Sequence, residues 1–148
     1  MTYIDIRNHL HQLVKLEFQS PVTTSSCQIE EYELRLRMKI PRWYLDFLEK
    51  YGSIQAIIDE GSSIYLFDTL ESQGYHQDYY NENYNDLDFR TLLGNDLGDR
   101  ALFYSERDGE PGIYVSYSIP DEDYFKYLAP NFESFLFDGV GLKKYADN

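Results

Sequence analysis

Ile40-Pro41-Arg42-Trp43-Tyr44-Leu45-Asp46-Phe47-Leu48-Glu49-Lys50-Tyr51-Gly52 runs directly into Ser53-Ile54-Gln55-Ala56-Ile57-Ile58-Asp59-Glu60-Gly61-Ser62-Ser63-Ile64-Tyr65-Leu66-Phe67. Within this stretch the chain changes from helical to strand chemistry. Pro41 suits the first turn of a helix, where a missing N–H costs nothing. Trp43, Tyr44, Phe47, Leu48 and Tyr51 supply that helix with apolar positions, and Gly52 is a natural stop. Then Ile54–Ile58 and Ser63–Phe67 read as two strands around the turn Asp59-Glu60-Gly61-Ser62, a hairpin.

Upstream, Ser25 with Gln28 three residues later fits a capping box. Ile29, Tyr32 and Leu36 form the apolar stripe of a helix that Pro41 ends, because the residue before proline is pushed out of the helical region. Further back, Ile6, Leu10, Leu13 and Val14 recur at three- and four-residue spacing, which predicts a helix over 2–18. Ser20–Ser26 has turn chemistry and no periodicity.

Downstream, strands are expected at Arg90–Leu93, Ala101–Ser105 and Gly112–Tyr117. Turns at Gly94–Asp99 and Arg107-Asp108-Gly109-Glu110 separate them. Asn131-Phe132-Glu133-Ser134-Phe135-Leu136 reads as a closing helix capped by Asn131, with Phe132, Phe135 and Leu136 toward the core. Helices first, strands in the middle and a helix at the end predict an α+β fold. The expectation is one domain over 1–148, with a mostly antiparallel central sheet of about five to six strands. N-terminal helices and a C-terminal helix flank it.

The chain has 148 residues and is 43% hydrophobic, enough for a real core. Its lone cysteine, Cys27, excludes an internal disulfide and fits a reducing compartment. The N-terminus does not read as a signal peptide, and no apolar run approaches the ~20 residues of a membrane span. These features lead us to expect a cytoplasmic protein without a membrane partner.

Formal net charge is −13, unevenly spread. Residues 1–58 balance seven acids with seven bases, whereas residues 59–99 carry ten acids against Arg90 alone. Such a field repels nucleic acid, whose binding needs Lys and Arg at phosphates. It attracts basic partners and accelerates their association. The plainer reading of the charge is solubility.

Catalytic and metal chemistry find little support in the residues. His9 and His11 point different ways on a helix, His76 is isolated, and Cys27 has no second cysteine, so no metal site is expected. Asn95-Asp96 with Asp99 superficially resembles a cation loop, but it lacks the EF-hand pattern. Asp and Asn that hydrogen-bond their own turn explain it better. No Gly-x-Ser-x-Gly elbow, P-loop or dinucleotide fingerprint is present. Acid pairs are too abundant to be informative. We therefore expect no enzyme and no cofactor.

Residues 69–88 read either as a loop or as a short helix within one. Tyr75, Tyr79, Tyr80 and Tyr84 are spaced by four, one and four, among acids and amides. If the segment is helical, Tyr80 and Tyr84 share a face with Asp78 and Glu82 beside it. Rigid aromatic rings flanked by carboxylates suit a basic protein partner. The candidate partner-binding residues are Asp78, Tyr79, Tyr80, Glu82, Tyr84, Asp86 and Asp88. The competing reading is a solvated connection whose tyrosines pack onto the sheet.

Several of these stretches, taken in order, resemble the SUKH superfamily, the Smi/Knr-like bacterial toxin-immunity proteins. Glu30–Leu36 followed by Ile40–Gly52 resembles its opening helix, Leu-Pro, x-x-Tyr, x-x-Phe-Leu, x-x-x-Gly. Leu93-Gly94-Asn95-Asp96-Leu97-Gly98-Asp99 resembles its glycine- and Asp-bearing turn, and Gly112-Ile113-Tyr114 its next strand. Asn131–Leu136 is similar to its closing Ser-Phe-x-x-Phe-Leu helix. The match is strongest over 28–138. Ile40 replaces the usual Leu, Asn131 the usual Ser, and Gly52-Ser53 a common Asn-Gly-Gly.

The resemblance implies an α+β fold and a non-enzymatic role. It implies an immunity protein that binds a cognate toxin, a nuclease or other polymorphic effector, by occlusion. A eukaryotic branch implies the alternative, a regulatory scaffold for a cellular protein. A small hydrolase using paired carboxylates is a third reading. A toxin partner would be basic, to match the acidic middle segment.

Overall fold

The computed structural model describes residues 2–5, 12–15, 26–51, 54–59, 62–67, 70–84, 87, 89–120, 124–141 and 144–145. The strands are β1 (Thr2–Asp5), β2 (Gln12–Lys15), β3 (Ile54–Asp59), β4 (Ser62–Leu66), β5 (Thr91–Asn95), β6 (Arg100–Ser105), β7 (Gly112–Tyr117) and β8 (Lys126–Ala129). The helices are α1 (Ser26–Leu36), α2 (Arg42–Tyr51) and α3 (Leu70–Asn83), and a π-helical turn spans Glu133–Phe137. All eight strands join one sheet in the order β2-β1-β3-β4-β5-β6-β7-β8. β3 to β8 form a continuous antiparallel run of six, and β1 adds to β3 in parallel. The architecture is α+β, as the order of elements predicts.

The helix expected over 2–18 is corrected by the structure. Thr2–Asp5 pairs with Ile54–Ile57, and Gln12–Lys15 folds back on it antiparallel. Residues 6–11 and 16–25 lie outside the described residues. The physical reason is tertiary. Helical spacing here is weak and the β-branched and aromatic residues Thr2, Tyr3, Ile4 and Val14 favour strands. The outer edge of β3 offers a row of backbone groups that pairing satisfies.

Helix α1 ends earlier than Pro41 requires. Arg37 turns left-handed (φ 50°), and the Met38 N–H donates to the Glu33 carbonyl at 3.2 Å. That six-to-one bond is the Schellman closure of a helix. Pro41 then directly precedes α2, and its carbonyl accepts the Tyr44 N–H at 3.1 Å. The closing segment follows expectation, although it is wound as a π-turn. The Ser134 N–H donates to Asn131 Oδ1 at 2.8 Å, and Phe132, Phe135 and Leu136 are buried.

Alternation along β5–β7 divides the core. One face presents Leu93, Leu102, Tyr104, Ile113 and Val115 to Leu36, Tyr44, Phe47 and the π-turn. The Phe132 ring anchors this side, 5.1 Å from Trp43 and 5.0 Å from Phe47. The opposite face presents Leu92, Ala101 and Phe103 to Phe67, Leu87, Tyr80 and Phe125.

The β5–β6 turn spends its side-chain oxygens on its own backbone. Asn95 Oδ1 accepts the Leu97 N–H at 3.0 Å, and Asp96 Oδ1 accepts those of Gly98 and Arg100 at 2.8 and 3.1 Å. Asp96 Oδ2 pairs with Arg100 Nε at 3.2 Å. Leu97 itself is left-handed (φ 58°) and 74% exposed. Leucine is costly in that conformation and asparagine is not. Leu97→Asn should therefore raise the unfolding free energy by about 0.5–1 kcal/mol in urea titrations.

Candidate functional site: the outer face of α3

Helix α3 enters the sheet where β4 and β5 separate. Among the described residues these strands pair only at Tyr65↔Asn95 and Leu66↔Gly94. A Cβ on Gly94 would lie 2.4 Å from the Tyr65 carbonyl oxygen, so only glycine permits this approach. The Phe67 N–H still donates to the Leu93 carbonyl at 3.4 Å, and beyond that α3, not a strand, covers the edge of β5.

It does so with amides. Gln77 Oε1 accepts the Leu92 N–H at 2.7 Å, while Gln77 Nε2 donates to the Arg90 carbonyl at 3.1 Å. Gln73 Nε2 donates to the Leu92 carbonyl at 3.0 Å and to Gln77 Oε1 at 3.1 Å. Asn81 Nδ2 donates to the Leu36 carbonyl at 2.5 Å. Gln73 and Gln77 stand in for a neighbouring strand, while Asn81 ties α3 to the end of α1. The buried residues of α3 are accordingly Leu70, Gln73, Gly74 and Gln77, not a hydrophobic stripe. At Gly74, α1 crosses closely enough that an added Cβ would touch Leu36 Cδ1 at 3.4 Å.

Anchoring this face fixes what points outward. Glu71, Tyr75, Tyr79, Glu82 and Asn83 are exposed, with Tyr75 at 75% and Tyr79 at 53%. From Leu70 to Tyr84 the chain holds three acids, Glu71, Asp78 and Glu82, and no lysine or arginine. Two bare phenol rings one turn apart, amid carboxylates, form a sticky and negatively charged ridge. Such a surface is chemically suited to ring burial and ion pairing.

The candidate residues divide. Asp78, Tyr79 and Glu82 lie on or beside the ridge, Asp78 half-buried. Tyr80 turns inward, with its ring 6.2 Å from Phe103, and Tyr84 packs against it at 5.1 Å. Burial raises the Tyr80 hydroxyl pKa above its ordinary value, with Tyr84 and Tyr79 adding to the rise. Asp86 and Asp88 lie outside the described residues. Tyr75, outside the candidate set, is the more exposed ring. Its four-residue spacing from Tyr79 was the available signal, since that spacing aligns side chains on one helix face. His76 stacks on Phe67 at 4.6 Å, a packing role.

Elsewhere, burial and then Glu106 push the Tyr104 hydroxyl up to about 12. Among the described residues no group of three or more His, Cys, Asp or Glu is placed to hold a metal ion. None of the described helices is long and apolar enough to cross a membrane.

A family model matches residues 23–138, and its description is the SMI1 / KNR4 family (SUKH-1). The chain belongs to the SMI1 / KNR4 family (SUKH-1). No curated protein and no solved structure matches it significantly. The matched span begins just before α1 and ends just after the π-turn, so it takes in α3 and the ridge. SUKH proteins are known as toxin-immunity domains.

Proposed function

We propose that this chain acts as one domain that binds a cognate protein toxin in the cytoplasm and neutralises it by occlusion. The toxin, a nuclease or other polymorphic effector, presents a basic surface to the α3 ridge. One observation carries the reading: Tyr75 and Tyr79 project into solvent from a helix segment with three acids and no lysine or arginine. Exposed aromatic rings of this kind are the anchors that dominate protein interfaces. Membership of SUKH-1 supports the same assignment. Asp78, Tyr79 and Glu82 are the proposed contacts, joined by Tyr75 and Glu71. Tyr80 and Tyr84 support the ridge from beneath; Asp86 and Asp88, outside the described residues, are proposed as further charge partners.

A basic nuclease fits the electrostatics, because its phosphate-binding surface would be covered by a decoy of opposite sign. The test is co-expression with the C-terminal domain of the toxin encoded directly upstream, followed by binding kinetics. The wild-type chain should rescue growth. Glu71→Lys/Asp78→Lys/Glu82→Lys should slow association about tenfold at low salt and flatten its salt dependence. Tyr75→Ala and Tyr79→Ala should each speed dissociation about tenfold. Unchanged kinetics in all of these variants would remove the ridge from the interface.

A further inference from the structure

We infer that the edge of β3 is a latent pairing surface for a second copy of this chain, and that β1 and β2 keep it closed. The inference stands apart from the toxin-binding reading above.

β3 has six residues, and five of them in a row, Ile54-Gln55-Ala56-Ile57-Ile58, carry no charge, proline or glycine. As the last strand of a sheet it would present a row of unpaired N–H and C=O groups on a segment of high strand propensity. That is a template for another strand. The net charge of −13 is not represented in these five residues, so no ionic group of β3 before Asp59 opposes an approaching copy.

The sheet does not end there. β1 lies along β3 residue for residue, from Thr2↔Ile54 to Asp5↔Ile57, and β2 folds back on β1. Both strands fall outside the matched family span of 23–138. Their effect is to move the edge from β3 to β2. β2 is a poor template. It has four residues and ends at Lys15, and the β1–β2 pairing slips register between Tyr3 and Ile4. Short length, lysine and a bulge are standard means of discouraging pairing at an edge.

The opposite edge is blunted in the same way. β8 also has four residues, begins with Lys126 and is followed by Pro130. Its pairing with β7 slips register between Ile113 and Tyr114. Gly141 comes so close to the Leu128 carbonyl that a Cβ there would overlap it, so chain already lies against that part of the edge. Of these three strands, the long and uncharged one is the one that is covered.

The cover is attached to the sheet through one ladder. In the strand order β2-β1-β3, β3 is the neighbour that joins the pair to the other strands. A two-stranded hairpin has little stability of its own, so its release costs less than global unfolding. Once β3 is bare, a second bare copy offers the identical edge. Antiparallel β3–β3 pairing about a two-fold axis satisfies both rows at once and leaves only the two blunted β8 edges outside, so the assembly closes as a dimer.

The test is sedimentation velocity of the full chain from about 5 to about 500 μM, paired with amide hydrogen exchange. Tyr3→Pro/Ile4→Pro removes two adjacent backbone donors of β1 and should bare β3. Its dimer association constant should exceed that of the wild type by about 100-fold or more. The amides of Gln55–Ile57 should lose protection when dilute and regain it when concentrated, while those of β6 and β7 stay protected throughout. Leu13→Pro/Val14→Pro, which frees β2 but leaves β1 on β3, should associate no more than the wild type. Wild-type association in Tyr3→Pro/Ile4→Pro overturns the inference, as does association that leaves the β3 amides unprotected. Equal association by the β2 variant overturns it too. So does loss of β6 and β7 protection in Tyr3→Pro/Ile4→Pro, which would make β1 part of the core and not a cover.

Discussion

Asp108→Ala should lower the unfolding free energy by about 3–5 kcal/mol, the usual cost of removing one partner of a buried ion pair. The Arg90 side chain is only 3% exposed and that of Asp108 15%. Arg90 Nε and Nη2 reach the two carboxylate oxygens at 2.8 and 2.6 Å, a bidentate fork. The Phe125 ring lies 3.9 Å from the guanidinium carbon, and the Ser105 hydroxyl donates to Asp108 Oδ2 at 2.5 Å. Deleting the carboxylate removes a bidentate acceptor from a cation in a nearly dry site and the acceptor of a hydroxyl. It also unties the β6–β7 hairpin from the segment that leads into β5. Arg90→Met/Asp108→Leu should recover much of the loss, because replacing a buried pair by apolar groups is often neutral.

The same pair sets an acid limit. Burial alone would raise the Asp108 carboxyl pKa, but the bonds from Arg90 and Ser105 and the neighbouring positive charge outweigh it, leaving it below the usual range. A group whose folded pKa is depressed stabilises above its unfolded pKa, about 3.9, and loses that contribution as pH falls through the folded value. Urea melts from pH 7 down to pH 2 should therefore show a decline below about pH 4 that is shallower in Asp108→Ala. A loss under about 1 kcal/mol at pH 7, the range of an exposed pair, would contradict the buried fork.

Gln77→Leu has the second-largest expected effect, a loss of about 2–4 kcal/mol. Leucine fills similar space but can neither accept the Leu92 N–H nor donate to the Arg90 carbonyl. Each buried backbone group left unpaired costs about 1–3 kcal/mol. Gln73 also loses an acceptor. The diagnostic readout is amide hydrogen exchange. The Leu92 N–H should lose protection selectively, while the paired N–H groups of β6 and β7 keep theirs relative to global stability. Wild-type protection at Leu92 would mean that α3 does not cover the β5 edge.

The amide contacts also explain what the sequence concealed. Helix α2, the β3–β4 hairpin and the Asn131 cap are legible because each has local chemistry: a proline start, a Gly61-bearing turn, a side-chain oxygen aimed at an N–H. Helix α3 is not, because hydropathy weighs Gln73, Gln77 and Asn81 as surface residues, whereas they form its inner side. Their four-residue spacing is the signal that remains. β1 escaped because a strand of four residues owes its existence to the edge it joins, which lies some fifty positions away, and β2 exists only by folding back on β1. β8 escaped because it is only four residues long, Lys126–Ala129 before Pro130, and is defined by its pairing with β7. Of the site, the acidic and tyrosine-rich composition was legible. Which rings face water was not, because that depends on how α3 is rotated against β5.

Along α3 the positions that hold the helix in place and the positions that meet solvent alternate without overlap. Leu70, Gln73, Gly74 and Gln77 belong to the first group, and Glu71, Tyr75, Tyr79 and Glu82 to the second. Replacements at exposed positions shift stability by only about 0.5 kcal/mol. If the ridge is the docking surface proposed above, recognition can be rewritten one residue at a time without endangering the scaffold. For a protein whose target is free to drift, that separation turns a single helix into adjustable vocabulary on a constant grammar.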